Sequence, residues 1–216
     1  FTADFAAQYW SGDVNILYDY VTPTTGFRFQ PLMGFRFTSY DETLIQHGEF
    51  DNSSGLNSTL GTLTTPFRNT IRSSTENIMC LGQVGFQMEV VEDWFTLGFS
   101  PKFGMGSNSI HTHVLTNNLR YNPFDLTATD PATSSQKNNV IFGSSIDLSA
   151  YTKIRLTEWL SLTGSVFYWY LPTVARSSNV VVYDDAGLTQ PPAIHPRIKT
   201  NSMSVIGLTV GAQITF

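Results

Sequence analysis

The sequence predicts an all-β chain: a transmembrane, antiparallel, up-and-down β-barrel with seven or eight strands in these 216 residues. Three observations predict it. The first is strict period-two alternation over long segments, which sends successive side chains to opposite faces of a strand. The second is a shortage of charge: 13% of the residues are Asp, Glu, Lys or Arg, while 41% are hydrophobic. That is about half the charge of an ordinary soluble domain. The third is the rhythm of the connections, in which short turns alternate with long polar stretches, as in barrels of the bacterial outer membrane.

The strands follow in order. Residues 13–21 set Val14, Ile16, Tyr18 and Tyr20 against Asp13, Asn15 and Asp19. Residues 27–38 place Phe27, Phe29, Pro31, Met33, Phe35 and Phe37 on one face and Arg28, Gln30, Arg36 and Thr38 on the other. Residues 77–90 set Ile78, Cys80, Val84, Phe86, Met88 and Val90 against Asn77, Gln83, Gln87 and Glu89. Residues 94–106 set Phe95, Leu97, Phe99, Phe103 and Met105 against Thr96, Ser100 and Lys102. Residues 139–156 set Val140, Phe142, Ile146, Leu148, Ile154 and Leu156 against Asn139, Ser145, Asp147, Lys153 and Arg155. Residues 159–171 align Leu160, Leu162, Val166, Tyr168 and Tyr170, and residues 202–216 align Ile206, Leu208, Val210, Ala212, Ile214 and Phe216. Several of these exceed the five or six residues of a typical globular strand and are long enough to cross a bilayer when tilted.

Seven is odd, and single-chain bacterial barrels have an even strand number. Residues 1–10 are therefore expected to supply an eighth strand, with Phe5 and Tyr9 in phase and a tight turn or bulge at Ser11 and Gly12. The alternative is that the missing partners lie upstream of Phe1. Short turns are expected near 22–25, 92–93 and 157–158, and long outer loops near 45–75, 107–138 and 172–198. With the last strand running inward, all the short turns fall on the periplasmic side and all the long loops outside.

The composition excludes several function classes. A formal net charge of -5 without a basic stretch argues against a nucleic-acid partner. The single cysteine, Cys80, excludes an internal disulfide and is expected to face lipid as a small apolar residue. No stretch reads as a transmembrane helix. No nucleophile elbow or phosphate loop occurs, so neither catalysis nor a cofactor is expected.

The inward charges Asp13, Asp19, Arg28, Arg36, Glu89, Lys102, Asp147, Lys153 and Arg155 are expected to form a lumen network of ion pairs, because barrels of eight to ten strands are mostly filled by side chains. The alternative is a charge-lined pore. Tyr18, Tyr20, Tyr168 and Tyr170 are expected at the membrane interfaces, rings toward lipid and hydroxyls in the wet layer. His47, His111, His113 and His195 fall in the outer loops. His111 and His113 alone supply two of the ligands a metal site needs. Asp41–Glu42 and Asp184–Asp185 read as solvated loop carboxylates; a hydrolase would need one of them to meet His47 or His195 at the rim.

Several stretches carry a resemblance: Tyr9-Trp-Ser-Gly-Asp-Val-Asn15, then Pro31-Leu-Met-Gly-Phe-Arg-Phe37 leading into Asp41-Glu42, then Gly82-Gln-Val-Gly-Phe86. Later come Arg155-Leu-Thr-Glu-Trp-Leu160, Phe167-Tyr-Trp-Tyr170 and Val174-Ala-Arg176. In this order they resemble the large outer-membrane β-barrel family of planctomycete-type bacteria. The resemblance implies about ten strands in the full protein, so that 1–216 is a single barrel domain lacking N-terminal strands. It carries no firm biochemical activity. The final Val-Gly-Ala-Gln-Ile-Thr-Phe216 is similar to the ends of outer-membrane barrels, whose last strand is an assembly signal. The partners this implies are the bilayer and the barrel-assembly machinery, with copies of the chain or other envelope proteins met through the loops. The functional expectation is a structural or surface-display barrel, the alternatives being a small-solute pore and, behind it, an outer-membrane hydrolase.

Overall fold

The computed structural model describes residues 1–18, 26–50, 67–117, 132–184 and 193–214. It is built from strands β1 (Thr2–Leu17), β2 (Gly26–Phe50), β3 (Phe67–Val91), β4 (Phe95–Asn117), β5 (Thr133–Arg155) and β6 (Leu160–Ala175). A single 3-10 turn (Ser177–Asn179), a short hairpin β7 (Val181–Asp184) and β8 (Ala193–Pro196), and β9 (Thr200–Ile214) complete it. Seven strands form one antiparallel up-and-down sheet in the order β1-β2-β3-β4-β5-β6-β9, and β7-β8 stands apart from it. Among the described residues β1 and β9 are the ends of that order, each with one neighbour.

Alternation sets the two faces. Outward, Phe27, Phe29, Met33 and Phe35 of β2 are exposed, as are Val84 and Val90 of β3, Phe103 and Met105 of β4, and Ile206, Leu208 and Val210 of β9. Such a surface is untenable in water and natural in lipid. On β2 the outward apolar run goes from Phe27 to Phe37. At about 3.3 Å per residue and a tilt of about 40° it rises about 25 Å, the height of the apolar band of an outer-membrane barrel. The inward face holds the buried residues: Arg36, Thr38 and Tyr40 of β2, Asn77, Met79, Leu81 and Gln83 of β3, and Asn108 and Ile110 of β4.

The structure differs from the sequence reading in three places. The first is β1. Residues 2–17 pair with β2 in one unbroken register, from Thr2–His47 to Leu17–Leu32. There is neither turn nor bulge at Ser11 and Gly12, and residues 1–10 add no eighth strand. The apparent change of phase arises because Tyr9 is an inward aromatic, its ring 4.8 Å from that of Trp169, whereas Trp10, Val14 and Ile16 face out.

The second difference is strand length. Two of the long loops shrink, because β2 runs on to Phe50, β3 starts at Phe67, β4 reaches Asn117 and β5 starts at Thr133. Beyond the lipid the outward face no longer has to be apolar, so the alternation that marks a strand in sequence fades while the hydrogen-bonded ladder continues. The backbone hydrogen bonds do not depend on side-chain polarity. His47, His111 and His113 accordingly lie on strands β2 and β4, not in loops.

The third difference is the segment after β6. The register of β6 with β9 breaks between Leu171 and Val174, around Pro172, which has no N–H to give the ladder. From there the chain turns inward, and Leu171, Val174, Ala175, Ser177 and Val180 are fully buried. The stretch 172–198 is thus not an outer loop along its whole length. The turns at 92–93 and 157–158 are present, between β3 and β4 and between β5 and β6. The turn at 22–25 lies outside the described residues, although Gly26, at its end, has a φ of 104°, a conformation that favours glycine.

Candidate functional site: the inner face and its strap

The inner face is crossed at several levels. Nearest the short turns, Arg28 Nη1 of β2 meets Glu89 Oε2 of β3 at 3.3 Å. Glu89 also accepts hydrogen bonds from Gln87 Nε2 at 2.8 Å and from the Tyr151 hydroxyl of β5. One level up, Arg36 Nη2 reaches Asp147 Oδ2 at 2.6 Å and Asp13 Oδ2 at 3.5 Å, joining β2 to β5 and β1. Asp13 is met in turn by Lys102 Nζ of β4 at 3.0 Å and Gln83 Nε2 of β3 at 3.2 Å. Five strands therefore converge on two carboxylates and one guanidinium. A charge that is 7% exposed, as the Arg36 side chain is, persists only when paired.

Above the charges lies an apolar plug of Tyr40, Met79, Leu81, Trp169, Leu171, Val174 and Met203. It spans from β2 and β3 to β6 and β9, so side chains from opposite walls meet across the inner space. Above the plug runs the strap, residues 173–180. Each of its first peptides is held by a strand side chain. Asn108 Nδ2 of β4 donates to Thr173 O at 2.8 Å. Asn77 of β3 clamps Ala175 from both sides: Ala175 N donates to Asn77 Oδ1 at 2.8 Å, and Asn77 Nδ2 donates to Ala175 O at 3.0 Å. That pair of bonds copies what a neighbouring strand would offer, on the side of Ala175 away from its ladder partner Thr200 of β9.

Glu42 of β2 is the second clamp. Its Oε2 accepts from Ser177 N at 2.9 Å and from the Ser177 hydroxyl at 3.4 Å. Its Oε1 accepts from the Tyr40 hydroxyl and pairs with the Arg176 guanidinium. Ser73 Oγ of β3 completes the hold on Ser177 by donating to its carbonyl at 2.8 Å. Beyond the strap, Val180 and Ile194 pack on Val114 of β4 with Ile71 of β3 against them, which seats the β7-β8 hairpin over the inner face. Glu42 was expected to be a solvated loop carboxylate. It is 1% exposed, because the even-numbered positions of β2 point inward and β2 continues past the lipid.

Among the other candidates, neither Lys153 nor Arg155 forms an ion pair among the described residues; both lie at the short-turn end of β5, and Arg155 is exposed. Tyr18 follows β1 and is 63% exposed, and Tyr168 and Tyr170 are the last outward residues of β6 before the inward turn. Asp19, Tyr20 and Phe216 lie outside the described residues, as does the Asp185 of the 184–185 pair. His47 lies on the outer face, its Nδ1 3.1 Å from Thr70 Oγ1 and its Nε2 4.0 Å from the exposed Asp4 Oδ2. His111 and His113 also point outward, where His113 Nε2 is 2.8 Å from Ser134 Oγ. Among the described residues no three His, Cys, Asp or Glu side chains are arranged to hold a metal. Cys80 is a free thiol on the outward face, opposite Phe37.

The strap escaped sequence reasoning, yet a signal was there. Val180-Val-Val-Tyr183 is an apolar run inside what otherwise reads as a polar outer connection, and such a run needs cover.

A family model described as "Putative beta barrel porin-7 (BBP7)" matches residues 3–216. No curated protein and no solved structure matches the chain.

Proposed function

The chain belongs to the BBP7 family of beta barrel porins, and from that premise we propose that it is an outer-membrane barrel whose interior is closed by its own strap, acting as a surface-display element and not as an open channel. One observation carries the reading: residues 173–180 cross the inner face and are tied to β2, β3 and β4 through Glu42, Ser73, Asn77 and Asn108. A solute path would have to pass the strap, then the apolar plug, then the Arg36 level, where side chains of five strands meet. What remains free to act lies outside: the parts of β2–β5 above the lipid band and the connections between them. Those are the surfaces through which copies of the chain or other envelope components are met. No catalytic step is assigned to the inner carboxylates, each of which is already engaged by a cation or by peptide N–H groups.

The second reading is a porin-like path for small solutes. It is favoured by the family's description and by the charged inner level around Arg36. The two readings separate in a planar bilayer. The protein, refolded in detergent and inserted, is expected to be electrically silent, whereas Glu42→Ala and Asn77→Ala, which release the strap, produce fluctuating currents. Reproducible steps from the unaltered protein, with ion selectivity that shifts in Arg36→Ala, would overturn the closed reading and establish the pore.

A further inference from the structure

The outward face has its own boundary, and something waits on the wet side of it. Across four strands the outward positions fall into rows. Phe37, Cys80, Ser107 and Phe142 form one row, and Ser39, Ile78, Ser109 and Val140 the next. The row above is Asp41, Glu76, His111 and Asn138, and above that stand Thr43, Ser74, His113 and Gln136. The change from phenylalanine to polar side chains is complete within two rows. It happens at the end of the sheet that carries the long connections, so the two polar rows lie in the headgroup layer of that leaflet. These rows line a groove of about 490 Å³. That is within the range of about 300–1,000 Å³ that ligand sites occupy.

The lining chemistry narrows the occupant. Asp41 and Glu76 can only accept hydrogen bonds when ionised. Thr43, Ser74, Gln136, Asn138 and the imidazoles of His111 and His113 add hydrogen-bonding groups of both kinds. No Lys or Arg lines the groove. A phosphate-bearing headgroup would meet the carboxylates of Asp41 and Glu76 and no lysine or arginine, the reverse of the basic pockets that hold anionic lipids. A ring of hydroxyls meets acceptors and donors together. Beneath the groove, β3 and β4 offer the small Cys80 and Ser107 between Phe37 and Phe142.

We propose that the groove formed by Asp41, Glu76, His111 and His113 binds the neutral saccharide headgroup of a membrane glycolipid. The lipid origin follows from position, since the groove lies on the outward face two rows above Phe37 and Phe142.

Native mass spectrometry of the protein in detergent tests this with three probes: digalactosyl diacylglycerol, phosphatidylglycerol and free lactose. The expected result is saturable retention of digalactosyl diacylglycerol at least tenfold above phosphatidylglycerol, with lactose retained no better than phosphatidylglycerol. Asp41→Asn combined with Glu76→Gln removes the preference, while Glu49→Gln, farther along β2, leaves it intact. All these positions face outward, so folding is checked by the usual heat-dependent gel shift and is expected to persist. Equal retention of the two lipids overturns the proposal, as does a preference that survives the double substitution. Lactose retained as well as the glycolipid overturns the lipid origin. A silent or conducting bilayer changes none of these outcomes, so the proposal stands or falls apart from the closed lumen.

Discussion

Arg36 and Glu42 lie six positions apart on β2, both point inward, and both are buried charges, yet they hold different kinds of structure. Arg36 joins side chains of strands that are already fixed by their ladders: Asp13 on β1 and Asp147 on β5. Asp13 has other partners in Lys102 and Gln83, so the cluster is redundant. Glu42 holds a segment that has left the ladder, through the backbone N–H of Ser177 and the guanidinium of Arg176. In the first case the strands position the charges. In the second the charge positions the chain. A buried network within a sheet therefore sets how firmly the wall is braced, whereas a buried carboxylate above it decides whether a separate segment stays inside.

The largest expected effect is global. Arg36→Ala leaves the 15%-exposed Asp147 carboxylate without its partner, at a cost of about 3–5 kcal/mol in unfolding. The folded form should melt at lower denaturant, while the strap stays shielded from trypsin at Arg176. Next, Glu42→Ala strips the strap of its charged clamp and leaves the Ser177 N–H unpaired. The expected cost is about 2–3 kcal/mol, discounted from a fully buried pair because Arg176 is partly exposed. It should appear as cleavage after Arg176 in a protein whose unfolding midpoint barely moves. If the two substitutions gave the same pattern, the contrast between wall and strap would be broken. Asn77→Ala should act like Glu42→Ala but less strongly, at about 1–3 kcal/mol, through two lost bonds to the Ala175 peptide. Ser73→Ala removes one hydroxyl bond to Ser177 O and should cost about 1 kcal/mol, detectable as slightly faster cleavage at Arg176. That ordering would sharpen the comparison by ranking the clamps.

How much of this was legible in the sequence follows from where each face meets its solvent. The all-β, antiparallel, up-and-down architecture could be read because lipid demands apolar side chains at every second position, as from Phe27 to Phe37. The same demand stops at Ser39. From there to Phe50 neither face of β2 is regularly apolar, since Leu44 and Ile45 fall on opposite faces among polar neighbours, so its continuation left no clear trace, and Glu42 passed for a rim residue. Tyr9 misled for the opposite reason: an inward ring tilted against Trp169 looks in sequence like a lipid-facing one. Of the charges that phase alone assigned to the inner face, Asp13, Arg28, Arg36, Glu89, Lys102 and Asp147 are joined in ion pairs, while Lys153 and Arg155 are in none among the described residues, and phase could not say which would meet. Asp13, Arg36, Lys102 and Asp147 come together because the sheet curls, and curvature is carried by no single residue. The groove on the outer face was hidden more thoroughly, since its two histidines and two carboxylates lie on three different strands and become neighbours only through register.

The four tryptophans are divided by the same geometry. Trp10, Trp94 and Trp159 are more than half exposed, on the outward face or at the short turns, whereas Trp169 is 3% exposed and lies against Tyr9 inside. The protein thus carries an optical inside and outside. Brominated acyl chains should extinguish the emission of the outer indoles and spare that of Trp169, whose residual light would then report on the interior alone, brightening or dimming as the strap is loosened above it.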